Sequence, residues 1–240
     1  RAGLRAATLN SGNIEDWVGE LEIVLPTGVV VQTRSLPRAS TGPDLRQLGI
    51  GSEGMFGVIT KVTLKLVPVP AAQRFAAVRY AGFEGALETV RRGLIAGVRP
   101  AVVRIYDPTE ASAKHARFAQ DAGWLLVLVF DGDERLIATQ EEIMLDLAAS
   151  LGGESLGPEP AVHWEQRRFN WSWFTDAVDH EGGIAEAIEV TATWSELPGL
   201  YERLKKAVSP HMQEFMAHVS HVYDQGAALY TIVRGEYADD

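Results

Sequence analysis

Two prolines in three residues, Pro68-Val69-Pro70, constrain this chain more than any other feature. Proline has no amide proton to give to a ladder, so no strand runs through this point. Before it the sequence is rich in strands; after it strands alternate with amphipathic helices. The chain of 240 residues is long enough for two small cores. Two domains are therefore expected, residues 1–70 and 71–240.

In the first part, Leu21–Leu25 and Val29–Thr33 flank Pro26-Thr27-Gly28, a turn sequence whose glycine supplies a positive φ. A hairpin is expected there. Residues 49 to 60, GIGSEGMFGVIT, contain a literal G-x-G-x-x-G. That fingerprint holds a dinucleotide only when a strand enters the glycines and a helix leaves them. Here Gly42–Leu48 reads as a loop entering one helical turn, and Val58–Leu66 reads as a strand leaving. The order is reversed, and the nucleotide-binding turn of a Rossmann domain is excluded. What remains is a glycine loop whose backbone can approach a planar, polar ligand, or a tight turn that simply needs glycine.

In the second part, strands are expected at Phe75–Tyr80, Ala101–Tyr106, Trp124–Phe130, Ile184–Thr193, Met216–Tyr223 and Ala227–Val233. Helices are expected at Phe83–Ala96, Asp133–Leu151, Val162–Val178 and Ser195–Val208. The fold class is α+β, an antiparallel or mixed sheet with helices over one face.

Composition narrows the function classes. A net charge of −10 argues against binding along a nucleic-acid backbone, and no nucleic-acid partner is expected. The absence of cysteine removes disulfides, thiolate metal sites and cysteine nucleophiles. No apolar run is long enough for a transmembrane segment. The chain starts at Arg1, its first ten residues do not read as a signal peptide, and both ends read as interior sequence. A piece of a longer protein is expected. Cytoplasmic location is the default, with peripheral membrane association left open.

The segments Pro37–Leu45, Gly51-Ser52-Glu53-Gly54 and Gly57-Val58-Ile59-Thr60 together resemble the FAD-binding domain of the vanillyl-alcohol oxidase class of flavoproteins (PCMH-type). Ser11-Gly12-Asn13-Ile14-Glu15-Asp16 matches a second motif of that domain. The resemblance implies FAD as cofactor, with Gly12, Asn13, Ile14, Glu53, Gly54, Gly57, Val58 and Ile59 lining it, largely through backbone. It also implies that 1–70 is the C-terminal part of the FAD-binding domain, and 71–240 a substrate or cap domain. Within the class, Ser40–Asp44, Pro100–Ile105 with Asp107, and His221–Tyr230 are most similar to the alkyldihydroxyacetonephosphate synthase family.

That family exchanges the acyl chain of acyl-dihydroxyacetone phosphate for a fatty alcohol through a flavin adduct, without net redox change. A tyrosine ending its Tyr-Asp-x-Gly-Ala-x-x-Tyr segment is the acid/base group, and the matching residue is Tyr230. A phenol can take this role if a nearby cation or the flavin lowers its pKa from near 10. Packing in a half-buried strand is the plain alternative. The family's active-site arginine falls at Thr175, which cannot grip phosphate. Arg167 and Arg168 are the nearby substitutes. The family's histidine cluster would lie beyond the last residue here.

Other candidates are weaker. His218 and His221, at i and i+3 in a strand, are expected on opposite faces, so no shared metal is expected. His163 and His180 have no partners at metal-ligand spacing. Trp164, Trp171 and Trp173 read as core rather than as a lipid tunnel. Asp131-Gly132-Asp133-Glu134 reads as a turn and helix cap. Two other functions stand beside the synthase. One is an FAD-linked 2-hydroxy-acid dehydrogenase of the D-lactate or glycolate type; the other is a non-catalytic interaction module. A small-molecule or lipid substrate is expected for either enzyme, and a homodimer is compatible with all three.

Overall fold

In the computed structural model, residues 12–36, 41–118, 123–170, 172–179 and 182–236 are described. The chain divides into two units at residues 69 and 70.

The first unit begins with a single helical turn, α1 (Ile14–Trp17), where the Asp16 carboxylate accepts from the Asn13 amide at 3.1 Å. Strand β1 (Val18–Val24) pairs antiparallel with β2 (Val30–Gln32) on one side and β3 (Val58–Leu64) on the other. The hairpin forms as expected: the Leu25 amide donates to Val29 at 2.9 Å, and Gly28 turns the chain at φ 80°. Turn α2 (Arg46–Gly49) precedes the glycine loop. Val18, Leu21 and Ile23 form the small core, whereas β3 is exposed along its length.

The second unit is built on one seven-stranded sheet in the order β7-β4-β6-β5-β9-β10-β8. Its strands are β4 (Ala72–Tyr80), β5 (Val102–Tyr106), β6 (Trp124–Gly132), β7 (Glu154–Gly157), β8 (Gly183–Thr193), β9 (Glu214–Val222) and β10 (Gly226–Glu236). Every pairing is antiparallel. Among the described residues six α-helices accompany it: α3 (Phe83–Ile95), α4 (Pro108–His115), α5 (Glu134–Ser150), α6 (Glu159–Arg167), α7 (Ser172–Val178) and α8 (Leu197–Val208).

Helices cover both faces of this sheet, not one. Over one face α3, α5 and α8 bury Leu87, Met144 and Tyr201 against Val78, Leu126 and Ala217. Over the other, α4 and α6 bury Ala111, Ala161 and Trp164 against Ala77, Val127 and Tyr106. The cause is visible in β6, where Trp124 to Phe130 is a continuous apolar run with all of its residues buried. Such a strand needs apolar cover on both sides. The expected helix over 162–178 is two helices, α6 and α7. Two elements escaped the sequence reading, the short edge strand β7 and helix α4. The latter is capped by Asp107, whose carboxylate accepts from the Glu110 amide at 2.8 Å, with Pro108 in the first turn.

Candidate functional site

Between α2 and β3 the chain makes three successive turns: the amides of Ser52, Met55 and Gly57 donate to the carbonyls of Gly49, Ser52 and Gly54. Two consecutive residues, Glu53 (φ 50°) and Gly54 (φ 83°), are left-handed. For Glu53 that conformation costs on the order of 1 kcal/mol and marks a constrained loop. The amides of Glu53 and Gly54 have no hydrogen-bond partner among the described residues. A Cβ on Gly54 would meet no atom within 4 Å, whereas one on Gly57 would lie 2.3 Å from the Val24 carbonyl oxygen. Gly57 is thus fixed by close packing on β1, and Gly54 stands open. The loop lines a concavity of about 320 Å³ that includes Glu53, Gly54, Gly57, Val58 and Ile59. Bare amides beside exposed Val58 and Ile59 suit a flat group with polar edges, and a flavin nucleotide fits that description.

Gly12, Asn13 and Ile14 are not brought into this concavity. Val18 pairs with Leu64 and Val24 with Val58, so α1 and the glycine loop lie at opposite ends of the β1–β3 pair. The six steps from Val18 to Val24 span about 20 Å.

The second unit gathers polar residues on the sheet face that carries α4 and α6. A row crosses four strands by register: Tyr106 on β5 opposite His218 on β9, His218 opposite Tyr230 on β10, and Tyr230 opposite Glu189 on β8. The His218 ring lies flat on Tyr230, with centroids 5.3 Å apart and planes within 3°. His221 touches the same tyrosine, with centroids 5.6 Å apart. The two histidines therefore share a face, contrary to the expectation from their spacing. A bulge is the reason: Leu229 pairs with Val219 and Ala228 with His221, leaving Ser220 as an extra residue that resets the alternation.

Behind His218 stands Glu110, which is fully buried and accepts from His218 Nδ1 at 2.8 Å. A carboxylate can only accept, which fixes the proton of this histidine on Nδ1. Burial opposes the charge on Glu110, but His218 and the ion pair with Lys114 outweigh it and hold its pKa at about 2. Burial lowers His218, leaving the imidazole neutral. The cap Asp107 is pushed up to about 6, chiefly by burial; its hydrogen bonds, including one from the Tyr201 hydroxyl at 3.2 Å, act against that. Tyr230 is raised well above the ordinary phenol range, first by burial and then by its hydrogen bond to Glu189 and that carboxylate's charge. Arg104 pulls downward on Tyr230 but is outweighed, and the phenol keeps its proton.

The remaining candidates disperse. Thr175 lies exposed on α7, and its hydroxyl donates to the Ser172 carbonyl at 3.0 Å. Arg167 is exposed, while Arg168 packs on Phe169 and Trp164. Trp164 is core; Trp171, and the side chain of Trp173, lie outside the described residues, as does His180. His163 does have an imidazole partner, His115, with Nδ1 atoms 3.4 Å apart across 48 positions of sequence. No group of three or more metal-ligating side chains occurs among the described residues. Asp133 caps α5 by accepting from the Arg135 amide, as expected. Arg104, Glu110, Glu189 and His115 were not singled out from sequence. Glu110 carried a local signal, in the Asp107-Pro108-Thr109-Glu110 start of a helix, and Arg104 lay within the Pro100–Ile105 segment that resembles the synthase family.

Residues 69–240 match the family of FAD linked oxidases, C-terminal domain. An alkyldihydroxyacetonephosphate synthase of Caenorhabditis elegans is 27% identical over 252 residues, covering 91% of this chain and 42% of that protein. A mitochondrial D-lactate dehydrogenase [cytochrome] of Arabidopsis thaliana is 30% identical over 204 residues, covering 81% and 35%. A solved alkyldihydroxyacetonephosphate synthase superposes with a TM-score of 0.79 at 23% identity, covering 95% of this chain and 46% of that one. The chain spans less than half the length of these relatives.

Proposed function

The chain belongs to the FAD-linked oxidases through their C-terminal domain, and from that premise we propose that it is part of an FAD-dependent enzyme that exchanges the acyl chain of acyl-dihydroxyacetone phosphate for a fatty alcohol. On this reading residues 71–240 are the substrate domain, and residues 1–70 close the FAD-binding domain. FAD is the cofactor; when bound, it supplies the electron-accepting ring on which this chemistry depends. Residues Glu53, Gly54, Gly57, Val58 and Ile59 would hold it through backbone donors and apolar contact. Gly12, Asn13 and Ile14 would meet a different part of the same extended nucleotide.

The observation that carries the reading is the setting of Tyr230. It is clamped between the flat face of His218 and the Glu189 carboxylate. A phenol whose pKa is raised keeps its proton at neutral pH, so it can hydrogen-bond the substrate and give that proton only to a strongly basic group; on this reading its work would be to return a proton to the substrate carbon. Glu110 holds His218 in one tautomer, and His218 in turn holds the Tyr230 ring. An acid fixed in this way loses little orientational freedom when the substrate arrives.

A second reading, oxidation of a 2-hydroxy acid on the same flavin, is favoured by the exposed, self-bonded Thr175 and by the D-lactate dehydrogenase relative. Purification of the protein at its full natural length separates the two. Paired flavin absorbance bands are expected under either. Anaerobic D-lactate should leave those bands unchanged and labelled fatty alcohol should be incorporated; bleaching by D-lactate would overturn the exchange reading. A colourless protein that takes up no added FAD would overturn both. Tyr230→Phe is expected to lower exchange by about 100-fold or more with the flavin bands intact.

A further inference from the structure

One carboxylate connects the surface of the second unit to its most buried polar residues. Glu110 is 0% exposed, and both of its oxygens are engaged. Oε1 accepts from Lys114 Nζ, and Oε2 accepts from His218 Nδ1 at 2.8 Å. Lys114 stands one helical turn further along α4, with its side chain 25% exposed. The line Lys114–Glu110–His218–Tyr230 therefore begins in water and ends on the stacked phenol.

The groups around Glu110 leave one charge in control of it. From α4 and its cap it meets Asp107, Lys114 and His115; from β5 it meets Tyr106, and from β9 His218. His115 and Tyr106 are neutral, pushed to about 4 and about 12, chiefly by burial. Asp107 is acidic and opposes a second negative charge beside it. Arg104 acts on His218, where it joins burial in keeping the imidazole uncharged. Lys114 is thus the one full positive charge paired with Glu110 among the described residues.

Without that charge, the buried carboxylate faces a neutral imidazole, and burial favours uptake of a proton from solvent. Two arrangements hold the added proton. In one, Glu110 becomes an acid that donates to Nδ1, and the imidazole hydrogen moves to Nε2. In the other, Glu110 stays ionised and His218 becomes an imidazolium with hydrogens on both nitrogens. Nε2 carries a hydrogen in either.

We propose that Lys114 is a positioning residue acting from the solvent side: its ammonium keeps Glu110 a carboxylate, and so keeps the His218 hydrogen on Nδ1 and the Nε2 lone pair bare. Removal of the ammonium charge changes either the charge of the ring against Tyr230 or the edge by which that ring donates. A modification that neutralises a lysine, such as acylation, would act on the buried row at this one point. This placement of a proton stands without the flavin. Its effect on exchange rests on the function proposed above.

The test is a pH titration of the full-length protein labelled with nitrogen-15 at histidine, in which the Nε2 resonance reports whether that atom bears hydrogen. The His218 signals are those missing from His218→Gln. In the unsubstituted protein Nε2 gains its hydrogen only below the ordinary 6.5. Lys114→Met should move that midpoint up by about two pH units, because a neighbouring cation no longer opposes the proton. Lys114→Arg keeps the charge and should leave the midpoint where it was. In a Glu110→Gln background, Lys114→Met should move nothing, since the carboxylate that relays the charge is gone. Should Lys114→Met fail to fold, Lys114→Gln carries the comparison. A midpoint unmoved by loss of the lysine charge overturns the proposal, as does an equal movement in Lys114→Arg. Exchange is read separately as a rate–pH profile, whose acid limb should move with the midpoint. A moved midpoint with an unmoved profile supports the proposal and removes His218 from the exchange reading alone.

Discussion

At the scale of single residues, two glycines eight atoms of backbone apart are fixed by different demands. Gly54→Ala puts a methyl into open space at a left-handed φ, which costs about 1 kcal/mol of backbone energy. Gly57→Ala drives a Cβ into the Val24 carbonyl and should cost roughly 2 kcal/mol or more. Melting curves should rank them in that order. FAD affinity should rank them in reverse relative to stability, because only the Gly54 methyl occupies the concavity without disturbing β1. Asp107 makes a pH prediction. Its native pKa, about 6, lies above the ordinary 3.8, so between those values the native state holds a proton that the unfolded state has lost. Its contribution is complete below about pH 4 and is lost as the pH rises through 6, about 3 kcal/mol in all. Asp107→Asn keeps the cap without the titration. Urea melts at pH 4 and pH 7.5 should show the asparagine variant gaining on the unsubstituted chain at the higher pH.

At the scale of elements, the Ser220 bulge governs the site. Deletion of Ser220 restores strict alternation without turning any neighbour over. It should be tolerated within about 1–2 kcal/mol and preserve the His221–Tyr230 contact, read as a nuclear Overhauser effect. Deletion of Leu229, on the regular strand opposite, turns the outer half of β10 over and should unfold the sheet. The element pattern itself was largely legible. The hairpin at Pro26-Thr27-Gly28, the long α5 stopped at Gly152-Gly153, and the pair β9–β10 follow from local periodicity and turn residues. The bulge was not legible, since nothing in Val219-Ser220-His221 distinguishes a bulged residue from an alternating one. With it went the shared face of His218 and His221. Glu110 and Glu189 were missed for a related reason: they meet His218 and Tyr230 only through the packing of α4 and the order of the strands, which a single sequence does not encode locally. Tyr230 was found by resemblance, and its raised pKa only by seeing Glu189 beside it.

At the scale of the whole molecule, the two units have unequal means of standing alone. The second buries a two-sided sheet under helices, whereas the first has a three-residue core of Val18, Leu21 and Ile23. A fragment of residues 70–240 should unfold cooperatively by itself, and one of residues 11–69 should not. Calorimetry on the two fragments checks this; a cooperative transition in the shorter one would contradict it.

The row from Tyr106 to Glu189 runs from the sheet's interior to its rim, because β5 is flanked by β6 and β9 while β8 is an edge with an exposed outer half. Strands at a rim open by local fluctuation far more readily than those at the centre. Warming should therefore peel Glu189 away first, while β6 still protects its amides from deuterium. The acid would then lose its clamp in a protein that every global probe still scores as folded.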